Sequence, residues 1–201
     1  MIVKIYPENP NEKQIARAVE VLANDGVIIY PTDSVYAFGC SLRSARALER
    51  MRQIKGKKVS RLSVIFNDLS HIADFARVDN TAFKLLKRNT PGPVTFILPA
   101  LSKVPDKVLG NRKTIGVRIP DNPIAAALVR ESGSPLVTTS VKDDDELVEY
   151  TTDPELIDER WGHAVDLVID GGYGDNEPTT LIDLTGDEPE VIREGKVEVV
   201  F

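Results

Sequence analysis

The chain has 201 residues, 42% of them apolar and 28% charged, with a formal net charge of -6 at neutral pH. This length and balance predict a globular protein with one sizeable core in a single domain spanning residues 1–201, and the acidic surplus excludes a protein that coats nucleic acid with its whole surface. The lone Cys40 excludes an internal disulfide framework; no apolar run approaches the ~20 residues that span a bilayer, so a cytoplasmic location without a membrane partner is the expectation.

In chain order, Asn11 followed by Gln14 has the spacing of a capping box, and Ile15, Ala18, Val19 and Leu22 recur at helical spacing until Gly26. Val27 to Tyr30 predicts a strand, which runs into Pro31-Thr32-Asp33-Ser34, a cluster of short oxygen-bearing side chains. Ala45, Leu48 and Met51 mark a second helix with arginines on its other face, and Leu62 to Phe66 a second strand. Asp79 is placed to cap a helix through Phe83 and Leu86 that ends before Pro91-Gly92-Pro93. Strands at Val94 to Leu98 and Ile115 to Ile119, a helix at Pro123 to Glu131 and a strand at Pro135 to Thr139 follow. Asp153-Pro154-Glu155 opens another helix, and the tail is strand-rich: Val165 to Ile169, Thr180 to Leu184, Val191 to Arg193 and Val197 to Phe201. Alternation followed by a strand-heavy end predicts an α/β fold with a mixed parallel/antiparallel sheet and helices on its faces.

Several strands stop where short polar side chains begin. Tyr30 leads to Thr32 and Ser34, Val117 to Arg118, and Val137 to Thr138, Thr139 and Ser140. In open sheets, ligands bind beyond strand ends, where loops converge. Hydroxyls hold phosphate and carboxylate oxygens, Arg118 offers a planar bidentate fork, and Lys55, Lys57 and Lys58 offset negative charge. These three lysines belong to a run of eight basic residues from Arg43 to Arg61 that contains the single acid Glu49. Such a run is either a local anion site or a solvated helix face. His71 and His163 lack metal-ligand spacing, Cys40 reads as a packed thiol, and no GxxxxGK[ST] loop is present. The acids Asp143 to Glu146 read as a solvated loop, with magnesium binding as the alternative, and the GGYG of Gly171 to Gly174 as a flexible loop or lid.

Five stretches carry a resemblance: GVIIYPTDSVYAFGC (26–40), PGPVTFIL (91–98), GVRIPDNPIA (116–125), PLVTTS (135–140) and PTTLIDLT (178–185). In this order, across nearly the whole chain, they resemble the YrdC-like family, which includes the threonylcarbamoyl-AMP synthases. The VDNTAF (78–83), KTIG (113–116) and GGY–PTT (171–180) stretches are similar to its YciO branch. The resemblance implies a YrdC-type twisted mixed sheet with a concave basic cleft. It also implies a nucleotidyltransferase activity: L-threonine, bicarbonate and ATP give threonylcarbamoyl-AMP and pyrophosphate for tRNA modification, normally with magnesium. Double-stranded RNA is a further partner the family implies. Residue by residue, Thr32 and Ser34 fall in the threonine-contacting motif, Lys55 at the Lys of a K-x-R motif, Arg118 at the Arg of VRxP, and Ser140 at the Ser of S-x-N. Arg193 lies at a nucleotide-associated arginine. The chemistry brings two anions together and needs no covalent protein nucleophile.

The sequence also departs from that pattern. Lys57 stands where K-x-R has its arginine, Arg61 being the next guanidinium, Lys142 stands for the Asn of S-x-N, and Asn122 for a frequent His. Two readings follow: a threonylcarbamoyl-AMP synthase that uses Lys55 and Arg118 on the reacting anions and Thr32, Ser34, Lys57, Arg61, Thr138, Ser140 and Arg193 for binding, or a YciO-type protein that binds ATP, AMP or RNA without making the adenylate.

Overall fold

A computed structural model describes residues 1–56, 62–142 and 149–201. Among these lie ten strands: β1 (Ile2–Lys4), β2 (Ile28–Tyr30), β3 (Ala37–Ser41), β4 (Ser63–Ile65), β5 (Val94–Pro99), β6 (Thr114–Arg118), β7 (Leu136–Ser140), β8 (Leu167–Asp170), β9 (Thr180–Asp183) and β10 (Glu190–Arg193). The helices are α1 (Glu12–Ala23), α2 (Ala45–Lys55), α3 (Leu69–Ile72), α4 (Asn80–Asn89), α5 (Asp106–Leu109), α6 (Pro123–Ser132), α7 (Glu149–Thr152) and α8 (Pro154–Trp161). None is long and apolar enough to cross a membrane.

The helices start where side chains satisfy the first free backbone N–H groups. Asn11 accepts from Lys13 and Gln14, Asp79 from Ala82, Asn122 from Ile124 and Ala125, and Asp153 from Glu155. The capping box at Asn11 is only half made, because the Gln14 carboxamide oxygen is buried without a partner.

The strands form one mixed sheet in the order β1-β8-β2-β3-β7-β4-β6-β5-β9-β10. β2/β8, β4/β6 and β5/β9 pair parallel; β2/β3, β3/β7, β4/β7 and β5/β6 pair antiparallel. One register row runs Cys40–Val137–Val64–Val117–Phe96–Ile182 across six strands, and every member is fully buried. These side chains meet Leu48 and Met51 of α2, Leu85 and Leu86 of α4 and Ile157 of α8. On the opposite face, Ile28, Tyr30, Ile65 and Leu136 meet Leu22 of α1 and Leu128 of α6. Because successive strand residues alternate faces, the next row, Gly39–Thr138–Ser63–Gly116–Ile97, looks the second way, and it is small or polar at four of its five positions.

One expectation is corrected, and two features add to the sequence reading. Residues 197–201 are not a strand; Val200 is tied to the end of α4 through both side-chain groups of Asn89 instead. Phe83 is half exposed while Ala82, Leu85 and Leu86 carry the buried stripe of α4. β3 escapes the sequence reading because Gly39 and Cys40 weaken its strand character, yet Gly39 is required there: a Cβ would lie 2.7 Å from Cε1 of Tyr30.

Phe38 packs edge-on against Trp161, with ring centroids 5.2 Å apart, and the Lys55 ammonium lies over the Phe38 ring, 5.6 Å from its centroid. Phe38→Ala is expected to cost about 3–5 kcal/mol in urea unfolding. Val191→Ala, on the exposed edge strand β10, is expected to cost no more than about 0.5 kcal/mol.

Candidate functional site

The uncovered part of the second sheet face is the floor of a cavity of about 450 Å³. Thr138 and Ser140 of β7, Ser63 of β4, Gly116 and Arg118 of β6 and Thr95 and Ile97 of β5 line it. Gly116 keeps the middle of the floor low, since a Cβ there would meet Ser63 Oγ at 2.6 Å. The floor is thus built by the same pleat that builds the core: one face takes Val64, Val117 and Phe96, and the other presents hydroxyls, a glycine and a guanidinium.

One wall is the turn after β2. The Thr32 hydroxyl donates to Val35 O at 2.8 Å and accepts from Ser34 N at 3.0 Å, which folds the turn on itself. Arg118 reaches this turn from the floor, and its Nη2 donates to the Asp33 carboxylate, with longer contacts to Thr32 Oγ1 (3.4 Å) and Ser34 Oγ (3.3 Å). The Arg118 and Asp33 side chains are only 7% and 8% exposed, so this ion pair is buried. The second Asp33 oxygen accepts from Asp121 N at 2.8 Å, tying the turn to the entry of α6. Arg118 Nε is buried without a partner.

The opposite wall comes from the segment joining β8 to β9. The Tyr36 hydroxyl donates to Gly172 O (2.7 Å) and accepts from Gly171 N (3.0 Å), and Gly172 turns with φ +92°. Lys142 Nζ donates to Asn176 O at 2.9 Å, while Lys196 Nζ donates to Asp33 O at 2.7 Å and pairs with Asp175 at 2.8 Å. That pairing holds the Asp175 carboxyl below the usual carboxylate range. Thr179 and Thr95 share a 2.8 Å hydrogen bond, and Arg193 Nη2 donates to Thr179 O at 2.7 Å. Behind the floor, Tyr30 OH lies 2.8 Å from Thr138 Oγ1; burial pushes the Tyr30 phenol up to about 12 against the pull of that hydrogen bond. Burial likewise pushes the Cys40 thiol up to about 12, so it stays protonated at neutral pH.

With this geometry in place, comparisons with known proteins identify the chain's relatives. The Sua5/YciO/YrdC family model, described as "Telomere recombination", matches residues 20–195. The chain belongs to the Sua5/YciO/YrdC family. It is 46% identical to the YciO protein of Escherichia coli K12 over 198 residues, covering 97% of this chain and 95% of that one. The crystal structure of E. coli YciO superposes with a TM-score of 0.90 over 97% of this chain and 95% of its own. A threonylcarbamoyl-AMP synthase from Thiobacillus denitrificans is 35% identical over 81% of this chain and 87% of its own. Pyrococcus abyssi Sua5 complexed with L-threonine superposes with a TM-score of 0.89 at 27% identity, over 97% of this chain and 57% of that chain.

Within this Sua5/YciO/YrdC fold, Ser34, Arg118, Thr138, Ser140 and Arg193 all line the cavity. Thr32 lines an adjoining hollow that also takes in Asp33, Ser34 and Lys196. Lys55 is buried at the end of α2 and is not among the cavity-lining residues. Lys57 and Arg61, with Lys58 and the acids Asp143 to Glu146, lie outside the described residues. Ser63, Thr95 and Thr179 line the cavity without having been picked out from the sequence. Thr95 and Thr179 sit inside motifs that were recognised, and their alternation with buried Phe96 and Thr180 is the signal that locates them.

Removing either partner of the Arg118–Asp33 pair leaves a buried, uncompensated group. Asp33→Asn and Arg118→Met are each expected to cost about 3–5 kcal/mol in denaturant unfolding. The double variant is expected to cost clearly less than the sum, a coupling that independent sites would not show.

Proposed function

We propose that this chain binds ATP and a small carboxylate in the cavity and joins them, through a carbamate, in a reaction of the threonylcarbamoyl-AMP synthase type. The observation that supports this reading most is the lining itself: Arg118, Lys142 and Arg193 stand around Ser34, Ser63, Thr95, Thr138, Ser140 and Thr179, with no carboxylate among the described lining residues. Cations and hydroxyls bring anions together and stabilise charge as it shifts between them, which is what attack of a carbamate on an α-phosphate requires. The carbamate oxygen forms the new bond to phosphorus while pyrophosphate leaves with the electron pair of the broken P–O bond. The relatives point the same way, one being named a threonylcarbamoyl-AMP synthase and another complexed with L-threonine.

Among the described lining residues no carboxylate offers a ligand to magnesium, so the ion would enter on the phosphates of ATP. The apolar part of the wall, Val35, Ile97 and Leu181, suits the uncharged portion of a nucleotide or amino acid.

The rival reading, RNA held on the basic run, draws on α2, and the geometry favours it less. Arg50 pairs with Asp166 at 2.5 Å and donates to Ala164 O at 2.7 Å, and Arg52 Nη2 donates to Lys107 O at 2.5 Å. Two arginines of the run are thus engaged within the molecule, leaving Arg43 and Arg46 as its exposed members among the described residues.

Incubated with ATP, labelled bicarbonate, magnesium and L-threonine, the chain is expected to release pyrophosphate and labelled threonylcarbamoyl-AMP only when all substrates are present. Ser140→Ala is expected to lower that rate by about tenfold or more, through loss of one hydroxyl donor to a charged group. Tight ATP binding with no threonine-dependent product would contradict the condensation and leave a nucleotide-binding protein.

A further inference from the structure

The Lys142 ammonium lines the cavity, and its hydrogen bond goes to a neutral carbonyl, Asn176 O, at 2.9 Å. Among the described residues no carboxylate pairs with it. The contrast with Arg118 and Lys196 is chemical. Arg118 is met by the buried carboxylate of Asp33, and Lys196 by that of Asp175. An anion entering the cavity therefore finds Arg118 already compensated, whereas Lys142 brings a charge its protein partner does not cancel. An ammonium has three donors, and the bond to Asn176 O uses one of them. The Lys142 backbone N–H in turn donates to Ser140 Oγ at 2.9 Å, which fills an acceptor position on that hydroxyl and leaves its proton to be donated to a ligand.

On this basis, and resting on the nucleotide-binding reading above, we infer that Lys142 is a specificity-determining residue that selects ligands carrying a polyphosphate. Its ammonium meets a phosphate while still fastened to Asn176. The class of ligand is a tri- or diphosphate, either inorganic or attached to a nucleoside. A monoanionic carboxylate gains less, because the interaction scales with the ligand's charge.

Lys142 also helps hold the 171–178 segment, so the test separates charge from anchoring. Binding of tripolyphosphate, ATP, AMP and adenosine is measured by calorimetry for the wild type, Lys142→Met, Lys142→Arg and Lys196→Met. Lys196 anchors the same segment through Asp175 and Asp33 O but does not line the cavity. The expected result is a loss of about tenfold or more for ATP and tripolyphosphate in Lys142→Met, a smaller loss for AMP and none for adenosine. Lys142→Arg is expected to stay within about threefold of wild type, because the charge remains. ATP alone losing affinity, with tripolyphosphate unchanged, would place Lys142 on the nucleoside and overturn the inference. Equal losses for all four ligands in Lys142→Met and Lys196→Met would show anchoring alone and overturn it as well. Unchanged affinities in Lys142→Met, with the wild type still binding ATP, would remove the inference and leave the nucleotide-binding reading standing. A wild type that binds neither ATP nor tripolyphosphate would overturn both.

Discussion

The buried pair between Arg118 and Asp33 is the interaction on which the site's geometry depends. Asp33 holds three parts of the chain at once: its carboxylate takes Arg118 of the sheet floor and the Asp121 N–H at the entry of α6, and its carbonyl takes Lys196 near the C-terminus. A charge pair this deep gains little net stability over an apolar replacement, but removing one member is costly. Its value here is positional. It fixes a turn of flexible hydroxyl residues against a rigid strand, so that Thr32 and Ser34 cannot drift from the floor they face.

The rest of the site follows from the pleat of the sheet. A strand that sends Val117 into one core must turn Gly116 and Arg118 to the other side, and the same holds for Phe96 between Thr95 and Ile97. Helices α1 and α6 cover that second face only over β2, β3 and their neighbours. Where their cover ends, the sequence changes from Ile28, Tyr30 and Ile65 to Ser63, Thr138 and Gly116, and an open polar floor replaces a core. Fold and function are therefore not separate features of these strands. A register slip by one residue would bury the guanidinium of Arg118 among the valines and expose the valines to the cavity.

Most of the framework was legible in the sequence because its signals are local. Caps at Asn11, Asp79 and Asp153, and apolar runs such as Val94 to Leu98, name their elements without help from the rest of the chain. β3 was not legible, since Gly39 is chosen by its approach to Tyr30 rather than by strand propensity. The tail from Val197 was misread for a related reason: alternating apolar residues suggest a strand, but pairing requires a free neighbouring edge, and Asn89 holds Val200 at the end of α4 instead. In the site, the hydroxyls and Arg118 could be picked out from where strands end. Asp33 as the partner of Arg118, and Lys142 as the partner of Asn176, could not, because each contact joins residues more than thirty positions apart. What reads in sequence as a missing Asn at position 142 is, in space, a cation bridging the floor strand and the opposite wall.

The most direct measurement is a titration of isotope-labelled protein with ATP, following backbone amide and arginine Nε–H signals by NMR. If the cavity is the ligand site, the largest shifts fall at Ser34, Gly116, Ser140, Thr179 and the Arg118 Nε–H, which has no partner in the structure. Shifts confined to Arg43, Arg46 and their neighbours on α2, with the floor residues unmoved, would contradict it.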